Sequence, residues 1–272
     1  METLVTRYGI ARVEGDELAV VDLPFPNLRW LLKAGRTLAE VEQAPVTRRL
    51  PKTQLDEVVV PPLGLDTTVW GVGLNYHGKA ALTGRPVPTE PILFLKPATA
   101  LAAHRATLRI PTDLTTQFDY EAEVGVVLGR PLSDARPEDV WDAVAGVLAA
   151  NDTTARDVMK ATGTPTLAKG FPGCAPLGPT MVPISDLNDP NAIPVASWVD
   201  GEQRQNSTTA DLIFEVPDLL SWLSRYVRLE PGDVVLTGTP PGTGQDLNDY
   251  LRPGQEVTIA VGGLVPLVNT VA

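Results

Sequence analysis

The string Asp119-Tyr120-Glu121-Ala122-Glu123 runs directly into Val124-Gly125-Val126-Val127-Leu128-Gly129, and this junction restricts the chain more than any other. The apolar run is short, rich in β-branched valine and closed by glycine, which is the pattern of a buried strand. Alternate residues of a strand point to one face, so Glu121 and Glu123 project side by side from the start of a buried element. Two such carboxylates repel and lose hydration unless a cation lies between them. A hard divalent ion with oxygen ligands is the simplest such cation; a solvated strand end with two exposed acids is the alternative. Downstream, the apolar segment Val144 to Ala150 leads into Asn151-Asp152-Thr153-Thr154-Ala155-Arg156-Asp157. Asp152, at the end of a neighbouring buried element, would complete an oxygen triad, although alone this string reads as a helix N-cap and a polar first turn.

The remaining composition narrows the function classes. A net charge of -11 argues against nucleic acid, because phosphate binding needs clustered Lys and Arg. An acidic surface still permits an anionic substrate if a bound metal inverts the local field. One cysteine, Cys174, excludes an intramolecular disulfide, and two histidines, His77 and His104, exclude a multi-histidine zinc site. The first residues lack the charged-then-apolar pattern of a signal peptide. No stretch approaches the roughly 18 apolar residues of a membrane span. A cytoplasmic protein that contacts no membrane is the expectation.

A mixed α/β, strand-rich fold is expected. Residues 1–65 read as a small α+β unit: strands at Leu4 to Tyr8, Ile10 to Val13 and Leu18 to Val21, a turn at Gly15-Asp16, and short helices at Asn27 to Lys33 and Thr37 to Gln43. Prolines 45, 51, 61 and 62 punctuate the approach to the main body, residues 66–272. There, strands are expected at Val69 to Val72, Ile92 to Leu95, Glu121 to Leu128, Val195 to Val199, Val234 to Thr237 and Val257 to Val261. Helices are expected at Arg136 to Ala149, with Asp134 as a cap, and at Asp218 to Tyr226. Strands outnumber helices without alternating regularly, which argues against α/β barrels and doubly wound sheets.

Taken together, several strings resemble the fumarylacetoacetate hydrolase superfamily: Gly73-Leu74-Asn75-Tyr76, Pro91 to Pro97, Asp119 to Glu123, Asn151 to Asp157, Lys169-Gly170-Phe171, Pro176 to Pro179, and Pro231 to Pro240. They occur in family order across residues 69–271. The resemblance implies a mixed β-roll catalytic domain that usually forms a homodimer. It implies one Mg²⁺ or Mn²⁺ per chain, held by Glu121, Glu123 and Asp152. The small-molecule substrate is then a 2-oxo acid or 1,3-dicarbonyl, processed by C–C hydrolysis, decarboxylation or keto–enol isomerisation through a metal-bound enolate. Lys169 falls at the family's active-site lysine, which can hold a substrate carboxylate or an enolate oxygen. Gly238-Thr239 matches a substrate-contacting turn, with a purely structural turn as the alternative. Gln205 and Thr209 fall beside the pocket, Tyr76 would line it, and Arg156 would serve there or as an ion-pair strut.

The family's hydrolases and decarboxylases often carry a His and a Glu three residues apart after the Asn-Tyr string. Here those positions are Lys79 and Leu82, and neither member of the dyad is present. His77 lies two residues early, with Ala80 at its i+3 position. It reads as a loop histidine or, after a register shift, as a substitute base. Met159 and Pro172 stand where Gln and Asp are frequent, implying a more apolar pocket. Hydrolysis needs both a base for water and an acid for the carbanion, whereas enolisation moves one proton. Isomerase or decarboxylase chemistry is therefore expected ahead of hydrolysis, with Lys79 serving as base only if its pKa is lowered. The alternatives are recruitment to a biosynthetic cyclisation, condensation or hydration, and a non-catalytic ligand-binding scaffold.

Overall fold

The computed structural model describes all 272 residues. Its architecture is mixed and sheet-rich, with no closed barrel. A twelve-stranded sheet has the order Val46–Pro51, Glu17–Val21, Gly9–Glu14, Thr3–Thr6, Ala175–Pro183, Val144–Asn151, Ala122–Leu128, Val234–Leu236, Val69–Gly73 and Ile92–Lys96, with Val59–Val60 and Leu101–Ala102 attached at its side. A five-stranded sheet has the order Glu202–Thr208, Pro194–Val199, Glu256–Val261, Leu267–Val271 and Thr107–Leu108. The N-terminal strands are joined to the body by antiparallel pairing of Thr3 with Met181 and Leu4 with Thr180. The sheet is thus continuous across the expected boundary near residue 65.

The two faces of strand Ala122–Leu128 serve different cores. Val124, Val126 and Leu128 enter a cluster of 33 buried residues shared with Val195, Val257 and Ile259 of the smaller sheet and with Leu219, Leu220 and Leu223 of helix Val216–Ser224. Val127 points the other way, into a second cluster with Leu148, Ala150, Leu28, Leu31 and Leu32. The period of two places Glu121 and Glu123 on the same side as Val127. Because Glu123 pairs with Ala150, the neighbouring strand delivers Asp152 to that side as well.

The helix expected at Arg136 to Ala149 is a correction. A 3-10 turn at Pro137–Asp139 and a helix at Val140–Ala143 end where strand Val144–Asn151 begins, and Asp134 does not cap them. The segment pairs on both sides, with strands Ala122–Leu128 and Ala175–Pro183, and Gly146 admits the close approach of the second, since a Cβ there would lie 2.1 Å from the carbonyl oxygen of Val182. The nine-residue strand Ala175–Pro183 was not expected, because Pro176, Pro179 and Pro183 supply no ladder N–H. Its pairing with the 144–151 strand shifts register between Leu148 and Ala150 to accommodate them. The segment after Tyr76, expected as a loop, is helical over His77–Thr83 and stops at Gly84 in a left-handed conformation. No helix is long and apolar enough to cross a membrane.

Candidate metal centre and active site

The strand ends bring Glu121, Glu123 and Asp152 together, with one carboxylate oxygen from each within 4.8 Å of the others. All three are buried, at 5%, 1% and 1% exposure, which removes the solvated-strand-end alternative. Backbone bonds fix the geometry. Asp152 N–H donates to the Glu121 carbonyl at 2.9 Å, and Glu121 N–H donates to Asn151 Oδ1 at 3.0 Å.

Three cations surround the triad, buried Lys169 and Lys96 and partly buried Arg156. Lys169 Nζ lies 2.5 Å from both Glu121 Oε2 and Asp152 Oδ2 and donates to Thr154 Oγ1 at 2.8 Å. It also sits 5.0 Å above the centre of the Phe94 ring. Lys96 contacts Asp152 Oδ1. Arg156 reaches Glu121 Oε1 at 2.6 Å and Asp119 Oδ2 at 2.7 Å. Short elements deliver these groups. Pro165 opens helix Pro165–Lys169, and Thr166 Oγ1 donates to Leu95 O at 2.8 Å, seating that helix on strand Ile92–Lys96.

With Asp119, four buried carboxylates meet three cations, and Glu123 is the carboxylate left without one. Its only donor is Gly238 N–H, at 2.7 Å from Oε2. Gly238 has φ +94, and a Cβ there would lie 2.8 Å from Asn75 Cβ, so this turn admits glycine. Burial, then the charges of Asp152 and Glu121, push Glu123 well above the usual carboxylate range. Burial would raise Glu121 too, but Arg156 and Lys169 outweigh it and hold Glu121 far below that range. Burial alone would lower Lys169; Asp152 and Glu121 reverse this and keep it protonated. The donor set is all oxygen, and Glu123 is the member with no cation to balance its ionised form, which fits a hard divalent cation. Two buried donors nearby also lack partners, Tyr76 Oη and Asn151 Nδ2, as expected where a polar guest binds.

The other sequence candidates divide. Lys79 is buried and pairs with Asp246 Oδ2 at 2.6 Å and Thr243 Oγ1 at 2.8 Å. Burial pulls its ammonium pKa down against the opposing effect of Asp246. His77, the first residue of its helix, is exposed, and Leu82 is 59% exposed on the same helix. Tyr76 is fully buried, where burial, then Glu123 and Asp211, push its phenol pKa up, so it stays a neutral donor. Gln205 and Thr239 spend their polar atoms inside the protein. Thr239 Oγ1 donates to Ala122 O at 3.0 Å and accepts from Gln205 Nε2 at 2.8 Å. Thr209 Oγ1 accepts from Ile193 N–H at 2.8 Å. Met159 is half-buried on helix Arg156–Thr162, and Pro172 is exposed. A surface cleft lined among others by Met1, Asp186, Leu187 and Leu264 contains none of these groups.

Two members of the cluster escaped the sequence reading as site residues. Lys96 ends a run in which Phe94 is buried, and the alternation that buries Phe94 carries Lys96 inward. Asp119 was quoted only as part of a string. It is fully buried and accepts from Gly244 N–H at 2.6 Å and Gln245 N–H at 3.0 Å as well as from Arg156.

Comparison with known proteins agrees with this geometry. Residues 68–272 match the family described as fumarylacetoacetate (FAA) hydrolase C-terminal. The chain is 34% identical over 254 residues to the mitochondrial oxaloacetate tautomerase FAHD2A of Bos taurus, covering 92% of this chain and 80% of that protein. It superposes with a TM-score of 0.80 on a 2-hydroxyhepta-2,4-diene-1,7-dioate isomerase from Mycobacterium marinum, at 28% identity, covering 100% of this chain and 98% of that one. A fumarylpyruvate hydrolase from Pseudomonas aeruginosa, solved with Mn²⁺ and pyruvate, matches with a TM-score of 0.67 and 34% identity over 75% of this chain and 89% of that one. With the matched region spanning three quarters of its length and the buried oxygen triad inside it, the chain belongs to the fumarylacetoacetate hydrolase family of enzymes.

Proposed function

We propose that this protein is a divalent-metal-dependent enzyme that either isomerises a small 2-oxo acid or 1,3-dicarbonyl between its keto and enol forms or decarboxylates it, rather than hydrolysing a C–C bond. The observation that carries this reading is the missing acid–base dyad: Lys79 is locked to Asp246, while Leu82 and His77 face solvent. The tautomerase and isomerase names of the relatives support the same direction.

Glu121, Glu123 and Asp152 would hold Mg²⁺ or Mn²⁺, one per chain. When bound there, the ion supplies a Lewis acid for the 2-oxo carbonyl. A divalent cation held there would add positive charge to the cluster, which would favour an anionic substrate. Lys169 Nζ, kept protonated by its two carboxylates, has its three N–H groups committed to Glu121, Asp152 and Thr154, and would stabilise growing enolate charge through the field of its positive charge. Lys79 would carry a proton only as the free amine, which its burial favours and its pairing with Asp246 opposes. Tyr76 Oη and Asn151 Nδ2 are the donors available to further substrate oxygens.

The enzyme is also proposed to be a homodimer. Ile92–Lys96 ends its sheet with one edge open, and Ile92, Leu95 and Leu167 are 50%, 40% and 56% exposed there, a combination that calls for a partner. Sedimentation giving a stable monomer at micromolar concentration would remove this part of the reading.

The decisive assay follows enol-to-keto conversion of oxaloacetate with and without Mg²⁺ or Mn²⁺, alongside hydrolysis of acetylpyruvate. Metal-dependent tautomerisation with little hydrolysis is expected. Hydrolysis at ordinary enzyme turnover, on the order of 10 per second, would overturn the proposal.

A further inference from the structure

We infer that Gln205 is a positioning residue for the metal centre, standing in for a missing strand beside Ala122 and so fixing the two glutamates on either side of it. The inference rests on the proposed role of the carboxylate triad.

Strand Ala122–Leu128 is paired on both sides only in part. Val234–Leu236 matches it from Val127 back to Gly125, which faces Leu236. Thr237 N–H still reaches Val124 O at 3.1 Å, and there the chain turns away. Ala122, the residue between Glu121 and Glu123, therefore has no backbone partner on that side. Its groups are satisfied by side chains instead. Gln205 Oε1 accepts from Ala122 N–H at 3.0 Å, and Ala122 O accepts from Thr239 Oγ1 at 3.0 Å.

Gln205 is suited to this place because a carboxamide carries the donor and acceptor of a peptide group. It is fully buried and uses every hydrogen-bonding position. Oε1 also accepts from Ser197 Oγ at 2.9 Å, and Nε2 donates to Thr239 Oγ1 and Pro240 O, both at 2.8 Å. One side chain from the smaller sheet thus sets the peptide between two proposed ligands. It also sets the Thr237–Pro240 turn, from which Gly238 N–H reaches Glu123. Rotation of the Ala122 peptide would swing both glutamate Cβ atoms, and partners outside the ligand set typically govern metal affinity by 10- to 100-fold.

The test is Mn²⁺ titration calorimetry, with thermal melts, on chelator-stripped enzyme. Gln205→Met keeps length and adds no charge; Thr239→Val keeps shape and removes the hydroxyl; Thr239→Ser restores it. We expect Mn²⁺ binding to weaken about 10-fold or more in Gln205→Met and Thr239→Val, and to stay near the wild-type level in Thr239→Ser. The rise in Tm on adding Mn²⁺ should shrink in the first two. If Gln205→Met does not fold, the Thr239 pair decides the matter by itself. Wild-type affinity in the folded variants, with Tm lowered equally with and without metal, would reduce Gln205 to an ordinary buried amide and overturn the inference. A wild-type protein that binds no Mn²⁺ would instead overturn the reading of the triad, and the inference with it.

Discussion

Lys79 Nζ lies 2.6 Å from Asp246 Oδ2, with the two side chains 8% and 3% exposed. This buried pair pins helix His77–Thr83 to the turn whose capping box is made by Thr243 and Asp246. Lys79→Met should leave the Asp246 charge uncompensated and cost about 3 kcal/mol in urea unfolding, the usual result of removing one partner from a buried pair. A loss below about 1 kcal/mol would place the pair among solvated surface bridges.

Glu123→Ala should abolish detectable Mn²⁺ or Mg²⁺ binding in calorimetry. Unchanged metal affinity in the variant would remove Glu123 from the ligand set.

Lys169→Met should lower kcat by roughly 10²-fold or more, the scale of losing one preorganised electrostatic contact, with a smaller change in KM. Metal affinity should not fall, since the lysine is a cation competing for Glu121 and Asp152. Near-normal kcat in the folded, metal-loaded variant would show that Lys169 serves only to neutralise its neighbours.

His104 gives a pH dependence distant from the triad. Its Nδ1 accepts from Val268 N–H at 3.1 Å, so the ring proton sits on Nε2, 2.9 Å from Asp56 Oδ1. Burial holds the imidazole pKa below its ordinary value despite Asp56. The unfolded chain then binds the proton more readily than the folded one. Stability is fully present above the unfolded value, about 6.5, and is lost as pH falls below it. Urea midpoints between about pH 5 and 7.5 should decline toward acid more steeply in wild type than in His104→Gln. Parallel profiles would count against this assignment.

The glutamate pair was legible because it depends on a short-range rule. Strand alternation fixes Glu121 and Glu123 on one face, whereas Asp152, just past a segment expected as helix, joined them through the family resemblance. Fold class was legible for a similar reason, since valine-rich runs such as Val257 to Val261 declare themselves locally. What the sequence hid is set by packing between distant segments. Val144 to Ala149 has enough alanine to suggest a helix, but pairing with strands Ala122–Leu128 and Ala175–Pro183 makes it a strand. Lys96 lies just past the expected strand Ile92 to Leu95, and only Asp152, from a distant segment, makes it part of the site. The helical turn that carries Lys79 inward and Leu82 outward is too short to show a periodic pattern, so the two could not be told apart in the string.

The pairing of Thr3 with Met181 has a consequence for how the molecule is made. During synthesis, the N-terminal strands emerge long before the strand that closes their open edge. Val5 and Thr6 meet Val60 and Val59 early, but Thr3 and Leu4 lack partners until Met181 and Thr180 follow, and until then offer unpaired backbone groups to other nascent chains. Closing that edge is a contact of high sequence separation, the kind that slows folding. Yield in a heterologous host should depend more on translation rate and chaperone supply than on the stability of the finished enzyme.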